Sequence, residues 1–419
     1  MDLIALAAPF FIVAIAVELA FDRARCRDLY RRNDALNSLS LGMLSSTTGY
    51  FTRLLSLLIW GLVLENFALF DMPVTWFDWS ARGITLWLVA AIGWDFCYYW
   101  FHRCSHEVSI LWAAHAVHHQ SEDYNLSTAL RQTSTGFLFG WIFYLPLFVL
   151  GFPLQILLAV GASNLIYQFW VHTQFVRRLG MLDYLLVTPS NHRVHHAQNA
   201  RYIDKNYGGV LIVWDRLFGT FEDECEDEPV VFGVRKPLAN LNPLWANLQV
   251  YDYLLFDAIR TRSWRDKLGI WFRRTGWRPP DVAAEYPKKP SLPSHFSKYD
   301  PVVAPAVQRY VLMQFILALI LVLGISVLIA RSGPRGVLLP CLVLWSALVS
   351  IGLLNEGRAR AALVEYARLL LIVPLATLAM QLYSPIGISS QTLWAIVISY
   401  IVMSLFGLFA CKADIKNNR

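Results

Sequence analysis

Nine of the ten histidines in this 419-residue chain lie between residues 102 and 196, and eight of them fall into three short clusters. The clusters are His102-x3-His106, His115-x2-His118-His119 and His192-x2-His195-His196, with His172 alone between the second and third. Residues three or four apart on a helix share a face, so each cluster can aim two or three imidazoles at one point. Neutral imidazole is the commonest transition-metal ligand among side chains. Eight such groups exceed what one tetrahedral zinc can use, and two metal ions are the natural reading. A lone histidine reads more simply as a hydrogen-bonded core residue. Three clusters do not, because each unpaired buried polar group costs about 1–3 kcal/mol.

Asp95, Tyr99, His102 and His106 fall on one helical stripe. Asp95 is an ionisable residue inside an apolar segment, where a charge is expensive and usually functional. It reads as a carboxylate orienting a ligand imidazole or as a direct ligand, the former preferred. Asn164, Gln168 and His172 are spaced by four and can bring a ninth imidazole to the site. For Asn164 and Gln168, hydrogen bonding between helices is the equal alternative. No Glu-x-x-His pair, HExxH, GxSxG or Walker loop accompanies these residues, so hydrolase chemistry has no local support.

The elements that hold the clusters belong to a membrane protein. Hydrophobic residues make up 56% of the chain and charged ones 16%, with a mean hydropathy of +0.43, too apolar for a soluble domain of this length. A bilayer core of about 30 Å asks for roughly 20 apolar residues. Candidate spans lie near 3–21, 42–66, 84–101, 136–150, 153–171, 309–330, 336–354, 361–380 and 388–410. The fourth and fifth, joined by Gly151-Phe152-Pro153, read as a tight hairpin that does not cross fully. Basic residues follow the first span and enrich 172–308, which puts the histidines on the cytosolic side; Arg331 and Arg335 run against that orientation. The net charge of +6 suits anionic lipid headgroups, with no nucleic-acid-like basic block. Six scattered cysteines imply no disulfide framework.

The expected fold is an all-α polytopic membrane protein with two parts. Residues 1–300 form a histidine-rich di-metal catalytic helical domain at the cytosolic face, and 301–419 a C-terminal four-helix transmembrane block, divided after a proline-rich connector. Between Trp245 and Arg278, aromatic rings alternate with arginines, which reads equally as an interfacial segment or as a cap over the metal domain.

The ordered HxxxH, HxxHH and HxxHH boxes resemble those of the fatty acid hydroxylase and sterol desaturase superfamily of membrane di-iron enzymes, over about 85–235. HHQSEDYNLSTALRQ (118–132), YQFWVHT (167–173), TPSNHRVHH (188–196), DKNYGGVLIVWDRLFGTFEDE (204–224) and the apolar C-terminal block resemble the alkylglycerol monooxygenase family within it. That resemblance implies hydroxylation, by O2 and tetrahydrobiopterin or a related tetrahydropterin, of the carbon next to the ether oxygen of a glyceryl ether, which then falls apart. It implies two ferrous ions on His102, His106, His115, His118, His119, His192, His195 and His196, with His172 as a ninth ligand. Glu107 matches an acidic position of the family, where it can hold a ligand, relay a proton or simply charge a helix surface. Many relatives carry a further histidine where this chain has Asn191. Asp123, Asn125, Arg131, Asp204, Lys205, Asn206 and Tyr207 lie inside the matched strings, as headgroup or pterin contacts or as turn and lid structure. Ser127 suits a helix N-cap there and Gly208-Gly209 a bend.

Two rivals stand beside this reading. One is a sterol, fatty-acid or amino-lipid hydroxylase or desaturase fed by a cytochrome or ferredoxin; the other is a metal transporter or sensor. The expected partners are a membrane lipid and the bilayer. An electron donor, a homodimer, and the choice between a bacterial inner membrane and the endoplasmic reticulum stay open.

Overall fold

The computed structural model describes residues 3–72, 75, 78–288, 296–383 and 389–411. Helices dominate it, and among the described residues extended backbone pairs only at three isolated bridges. Among the described residues, five helices are long and apolar enough to cross a membrane: Arg32–Phe67, Ala81–Glu107, Pro305–Asn355, Ala361–Leu382 and Ser390–Ala410. The chain is a multi-pass, all-α membrane protein.

One compact unit comprises Met1–Arg31, Thr52–Leu238 and Asn247–Lys298; the other comprises Arg32–Phe51, Ala239–Ala246 and Tyr299–Arg419. Through the first run α1 (Leu3–Arg25), the latter part of α2 (Arg32–Phe67), α3 (Ala81–Glu107), α4 (Ser109–His119), α5 (Leu126–Ala129), α6 (Gly140–Val149) and α7 (Leu154–Trp170). Short helices follow: α8 (Leu182–Leu185), α9 (Pro189–His195), α10 (Val213–Phe218), most of α11 (Pro243–Arg260), α12 (Trp264–Gly269) and α13 (Pro280–Glu285). An aromatic core locks α2, α3 and α6 together. Trp94 stacks on Tyr144 at 4.1 Å between ring centroids, and Trp60 stacks on Phe148 at 5.0 Å. Such pairs add about 0.5–1.5 kcal/mol each beyond the area they bury.

Among the described residues, three of the nine expected spans, 3–21, 136–150 and 153–171, are not among these five helices, and two others share one helix. The region 136–150 contributes only the ten residues of α6, about 15 Å of helix, which cannot cross a bilayer. Residues 309–330 and 336–354 belong to one helical element, α14 (Pro305–Asn355), broken at Gly333 where φ is 65°. A left-handed residue followed by Pro334 ends one helix and starts the next, so the backbone turns where the hydropathy dips.

Gly151 makes the α6–α7 turn. Its φ is +93°, and a Cβ there would collide with the Phe70 carbonyl. Gly151→Ala is therefore expected to cost about 2 kcal/mol or more in stability. Thermal unfolding of the full chain in detergent checks this: a clear fall in Tm is expected, and an unchanged Tm contradicts the assigned turn.

The second unit contains the start of α2, α14, α15 (Ala361–Ala367), a π-helical turn over Arg368–Ile372, α16 (Val373–Tyr383) and α17 (Ser390–Ala410). Leu44 of α2 joins Val311, Phe315, Leu344 and Leu348 of α14 in its apolar core.

Candidate metal centre

Helix geometry sorts the histidines in a way the box pattern only partly announces. His102 and His106 leave one face at the end of α3. Val108 is extended (φ −114°, ψ 123°), so the chain breaks there and α4 turns back to pack on α3. On α4, His115 and His119 are one turn apart and share a face, while His118 points about 100° away. The third box repeats the arrangement at α9 and its C-cap, with His192 and His196 as the pair and His195 as the single ring.

Two groups result. His102, His106, His115, His119 and His195 have ligand nitrogens within 4.8 Å of one another, as do those of His118, His172, His192 and His196. Each HxxHH box thus sends a pair to one group and a single ring to the other. The groups abut, with 4.4 Å between the ring centroids of His119 and His196 and 5.3 Å between those of His118 and His119. Asn191 joins neither, because its side-chain amide donates to the carbonyls of Asp183 and Leu186. His295 lies outside the described residues.

The ring nitrogens fit a cation. Nδ1 of His102 donates to the Tyr207 carbonyl at 2.8 Å, and that of His118 to the Arg131 carbonyl at 3.0 Å. His172 donates likewise to Gln168 at 2.8 Å and His195 to Lys205 at 2.9 Å. A carbonyl only accepts, so in these neutral rings the proton sits on Nδ1 and Nε2 is a bare lone pair. Yet Nε2 of His118 faces Nε2 of His172 at 3.3 Å, and Nε2 of His195 is buried without a partner. Opposed lone pairs repel unless a cation lies between them. In the first group the Nε2 separations are 3.1 Å for His102–His115, 3.1 Å for His115–His119 and 3.2 Å for His106–His119. Adjacent ligand nitrogens at about 2.0–2.1 Å from one ion stand about 3.0–3.4 Å apart. The donor set and its spacing fit two metal ions.

Burial pushes the imidazoles of His119, His192, His195 and His196 well below their ordinary value and that of His118 down to about 4. At neutral pH the rings are uncharged, the form that binds metal.

The other expected site residues serve mostly as a frame. Asp95 meets no imidazole. Its Oδ1 accepts from Asn164 and the Val210 N–H, each at 2.8 Å, and its Oδ2 from the Leu211 N–H and Trp214 Nε1, each at 3.0 Å. The expectation that it orients a ligand ring directly, or ligates, is corrected: its acceptor positions are taken by the loop before α10, by Trp214 of α10 and by Asn164 of α7. It acts one step removed, since that loop carries the Tyr207 carbonyl that holds His102. Asn164 also accepts from Gln168 at 2.6 Å, so the polar stripe of α7 ties helices together.

Arg131, Gln168, Lys205 and Tyr207 hold rings through their backbone carbonyls. Asp123 is clamped by Arg31 at 3.0 Å and Lys298 at 2.6 Å. Asn125, not Ser127, is the N-cap of α5 and donates to the Leu29 carbonyl. Asp204 pairs with Arg274 at 3.3 Å, and Asn206 bridges the Asn191 and Glu222 carbonyls. Glu107 pairs with Arg103 at 3.0 Å and belongs to neither histidine group. The Tyr207 hydroxyl is buried without a hydrogen-bond partner, its ring 5.3 Å from that of His106.

Asp215 lies inside the matched string 204–224 but carries no spacing signal that singles it out. It accepts from the Tyr207 and Gly208 N–H groups and from Thr220, each at 2.7 Å, fixing the same loop from the other side. Burial pushes its carboxyl up to about 6, above the ordinary 3.8. Between about pH 4 and 6 the folded chain therefore holds a proton that the unfolded chain has lost. The stability contributed by Asp215 falls as pH rises through that window, by on the order of 2–3 kcal/mol. Thermal unfolding of metal-free protein from pH 4 to 6.5 should lose this component in Asp215→Asn; identical slopes for the two proteins would contradict it.

A cavity of about 470 Å³ borders both groups, with His106, His119, His195 and His196 in its wall. Opposite stands one face of α11, with Gln249, Val250, Tyr253, Leu254 and Asp257, joined by Arg235, Lys236, Arg278 and Lys288. The far face of α11 exposes Leu248, Leu255 and Ile259. The cap reading of this segment fits the inner face, which lines the cavity, while the outer face presents apolar surface. The period of α11 was the available signal, since its pocket-lining and exposed residues alternate at helical spacing.

Comparison with known proteins adds to this geometry. The family model described as fatty acid hydroxylase matches residues 87–220. Alkylglycerol monooxygenase of Homo sapiens is 38% identical over 384 residues, covering 89% of this chain and 82% of its own. That of Danio rerio is 37% identical over 378 residues, 88% of this chain and 80% of its own. An ornithine lipid hydroxylase of Rhizobium tropici is 32% identical over 153 residues, 35% of this chain and 44% of its own. No solved structure matches the chain.

Proposed function

The chain belongs to the fatty acid hydroxylase family, and we propose that within it this oxidoreductase cleaves glyceryl ethers by hydroxylating the carbon next to the ether oxygen. The observation that carries this reading is similarity to alkylglycerol monooxygenases along almost the whole chain, beyond the histidine boxes. His102, His106, His115, His119 and His195 would hold one iron, and His118, His172, His192 and His196 the other. Bound there, the pair supplies O2 activation for insertion into an unreactive C–H bond. Imidazole does not select iron by affinity, so the choice of metal rests on the family's redox chemistry.

The chain's own residues have four tasks. The carbonyls of Arg131, Gln168, Lys205 and Tyr207 fix the tautomers of four rings. Trp112, Ala116, Val250 and Leu254 line an apolar wall for the alkyl chain and keep bulk water from the reacting carbon. Arg235, Lys236, Arg278 and Lys288 offer cations to the polar end of the lipid or to a tetrahydropterin. The Tyr207 hydroxyl is an uncommitted donor beside the first histidine group.

In the overall step one oxygen atom enters the C–H bond, and the other leaves as water with two electrons from the tetrahydropterin and two protons. The hemiacetal then collapses: its hydroxyl proton passes to the ether oxygen, the carbon–ether bond breaks, and aldehyde and glycerol derivative separate. The active site is proposed to face the cytosol, on the charge asymmetry of the loops.

The similarity to an ornithine lipid hydroxylase supports a second reading, hydroxylation of an amino-lipid, over a shorter stretch. Ferrous-loaded full-length protein, given an alkylglycerol, tetrahydropterin and O2, should release one fatty aldehyde per O2 consumed. No aldehyde together with hydroxylation of ornithine lipid would overturn the ether assignment in favour of the second.

A further inference from the structure

The carboxyl-terminal unit contains a second cavity, of about 520 Å³, which the oxygenase reading leaves unused. Along one wall, Gln314, Ala318, Leu321, Gly324, Leu328 and Arg331 recur every three or four residues, one face of the first half of α14. The second half of α14, together with α16 and α17, completes it with Ala347, Thr377 and Val397 among others. From Gln314 to Arg331 the helix rises about 25 Å, most of the roughly 30 Å hydrocarbon thickness of a bilayer. An extended long acyl chain fits that length.

The two ends differ in chemistry. At one end, Arg368 is 1% exposed and donates to Glu365 at 2.6 and 2.8 Å, Gln314 at 3.0 Å and Tyr400 at 2.6 Å. Glu365 accepts in addition from Tyr310 at 2.5 Å and Ser350 at 2.6 Å. A charge pair inside apolar helices is expensive unless so completely bonded, and its usual justification is function. Arg368 also opens the π-helical turn, a distortion frequent at functional sites. This network seals its end of the groove with polar groups. At the other end Arg331 is exposed, Arg335 follows across the Gly333 break, and neither has a carboxylate partner among the described residues. Arg331 lines the cavity, and an exposed cation at the mouth of an apolar groove suits a phosphate at headgroup depth.

We infer that this groove binds an anionic phospholipid, one acyl chain lying from Arg331 towards Arg368 and the phosphate held at the mouth by Arg331. A free fatty acid offers the same combination of chain and anion but carries no phosphate headgroup. The site is separate from the histidine groups and does not depend on their chemistry.

Gly324 gives the test, because a Cβ added there meets nothing within 4 Å. Gly324→Phe projects into the groove without striking the backbone. The full chain in detergent is incubated with phosphatidylglycerol, phosphatidylcholine or fatty acid carrying a photoreactive group in mid-chain, and the labelled peptides are mapped. Expected is saturable labelling by phosphatidylglycerol in 317–328 and 393–400, at least tenfold weaker in Gly324→Phe. Arg331→Gln, an exposed position, should bring phosphatidylglycerol down to the level of phosphatidylcholine and keeps the test decisive if Gly324→Phe does not fold. Labelling that never saturates, or that ignores both substitutions, would reduce the groove to ordinary lipid contact and overturn the site. Stronger competition by the fatty acid, or cross-links joining two copies of the chain at these positions, would overturn the phospholipid as its occupant.

Discussion

His118→Ala should leave the protein with about one metal ion per chain instead of two, and lower lipid turnover at least 100-fold. His118 supplies one of four nitrogens to the smaller group, while its neighbours His115 and His119 face the larger one. Its removal leaves three donors in the smaller group and all five in the other. Loss of an outer partner alone commonly costs 10–100-fold in affinity or activity, so loss of a ligand sets about 100-fold as a floor. His172→Ala should copy the effect, because His172 contacts Nε2 of both His118 and His192 at 3.3 and 3.1 Å. Glu107→Gln should keep two ions, since Glu107 is engaged with Arg103. Metal analysis of the three variants after anaerobic loading separates the cases. Two ions in His172→Ala, or one in Glu107→Gln, would redraw the ligand set.

Asp95→Ala should unfold the frame of the site although Asp95 touches no ligand ring. Four donors meet its carboxylate, and each buried donor stranded by the change costs about 1–3 kcal/mol. The terms are not additive in full, but a loss of about 4 kcal/mol or more is expected, on the order of 10 °C in Tm. The loop carrying Tyr207 then loses one anchor and keeps the other, Asp215. Metal affinity of the larger group should fall about tenfold or more, because His102 depends on the Tyr207 carbonyl. Asp95→Asn retains one oxygen acceptor but turns an amide N–H group towards donors, so it should be intermediate. A Tm within about 2 °C of the parent would show that the four hydrogen bonds contribute little.

Much of this architecture was legible because its signals are local. Hydropathy marks α2, α3, α14 and α17, and i,i+3 and i,i+4 spacing marks the histidine faces. The Gly333-Pro334 pair separates the two expected spans that α14 joins. What stayed hidden depends on partners distant in sequence. Every residue has a carbonyl, so nothing in the sequence distinguishes those of Lys205 and Tyr207 as ring acceptors. Asp95 looked like a member of the site because it lies on the stripe of His102 and His106; only the return of residues 210–214 shows that its bonds go elsewhere. The division of nine imidazoles into five and four depends on which box pairs with which across separate helices, and spacing along one helix cannot express that. Asp215 was missed because a lone acid beside Trp214 and Arg216 has the look of an ordinary surface residue.

Absorption spectroscopy at the iron edge, on wild-type protein loaded anaerobically and counted for metal, tests the paired histidine centre most directly. Two irons per chain, each surrounded by imidazole nitrogens at about 2.0–2.2 Å, is the result that agrees with the structure. A single iron per chain, or a shell dominated by carboxylate oxygen, would contradict it.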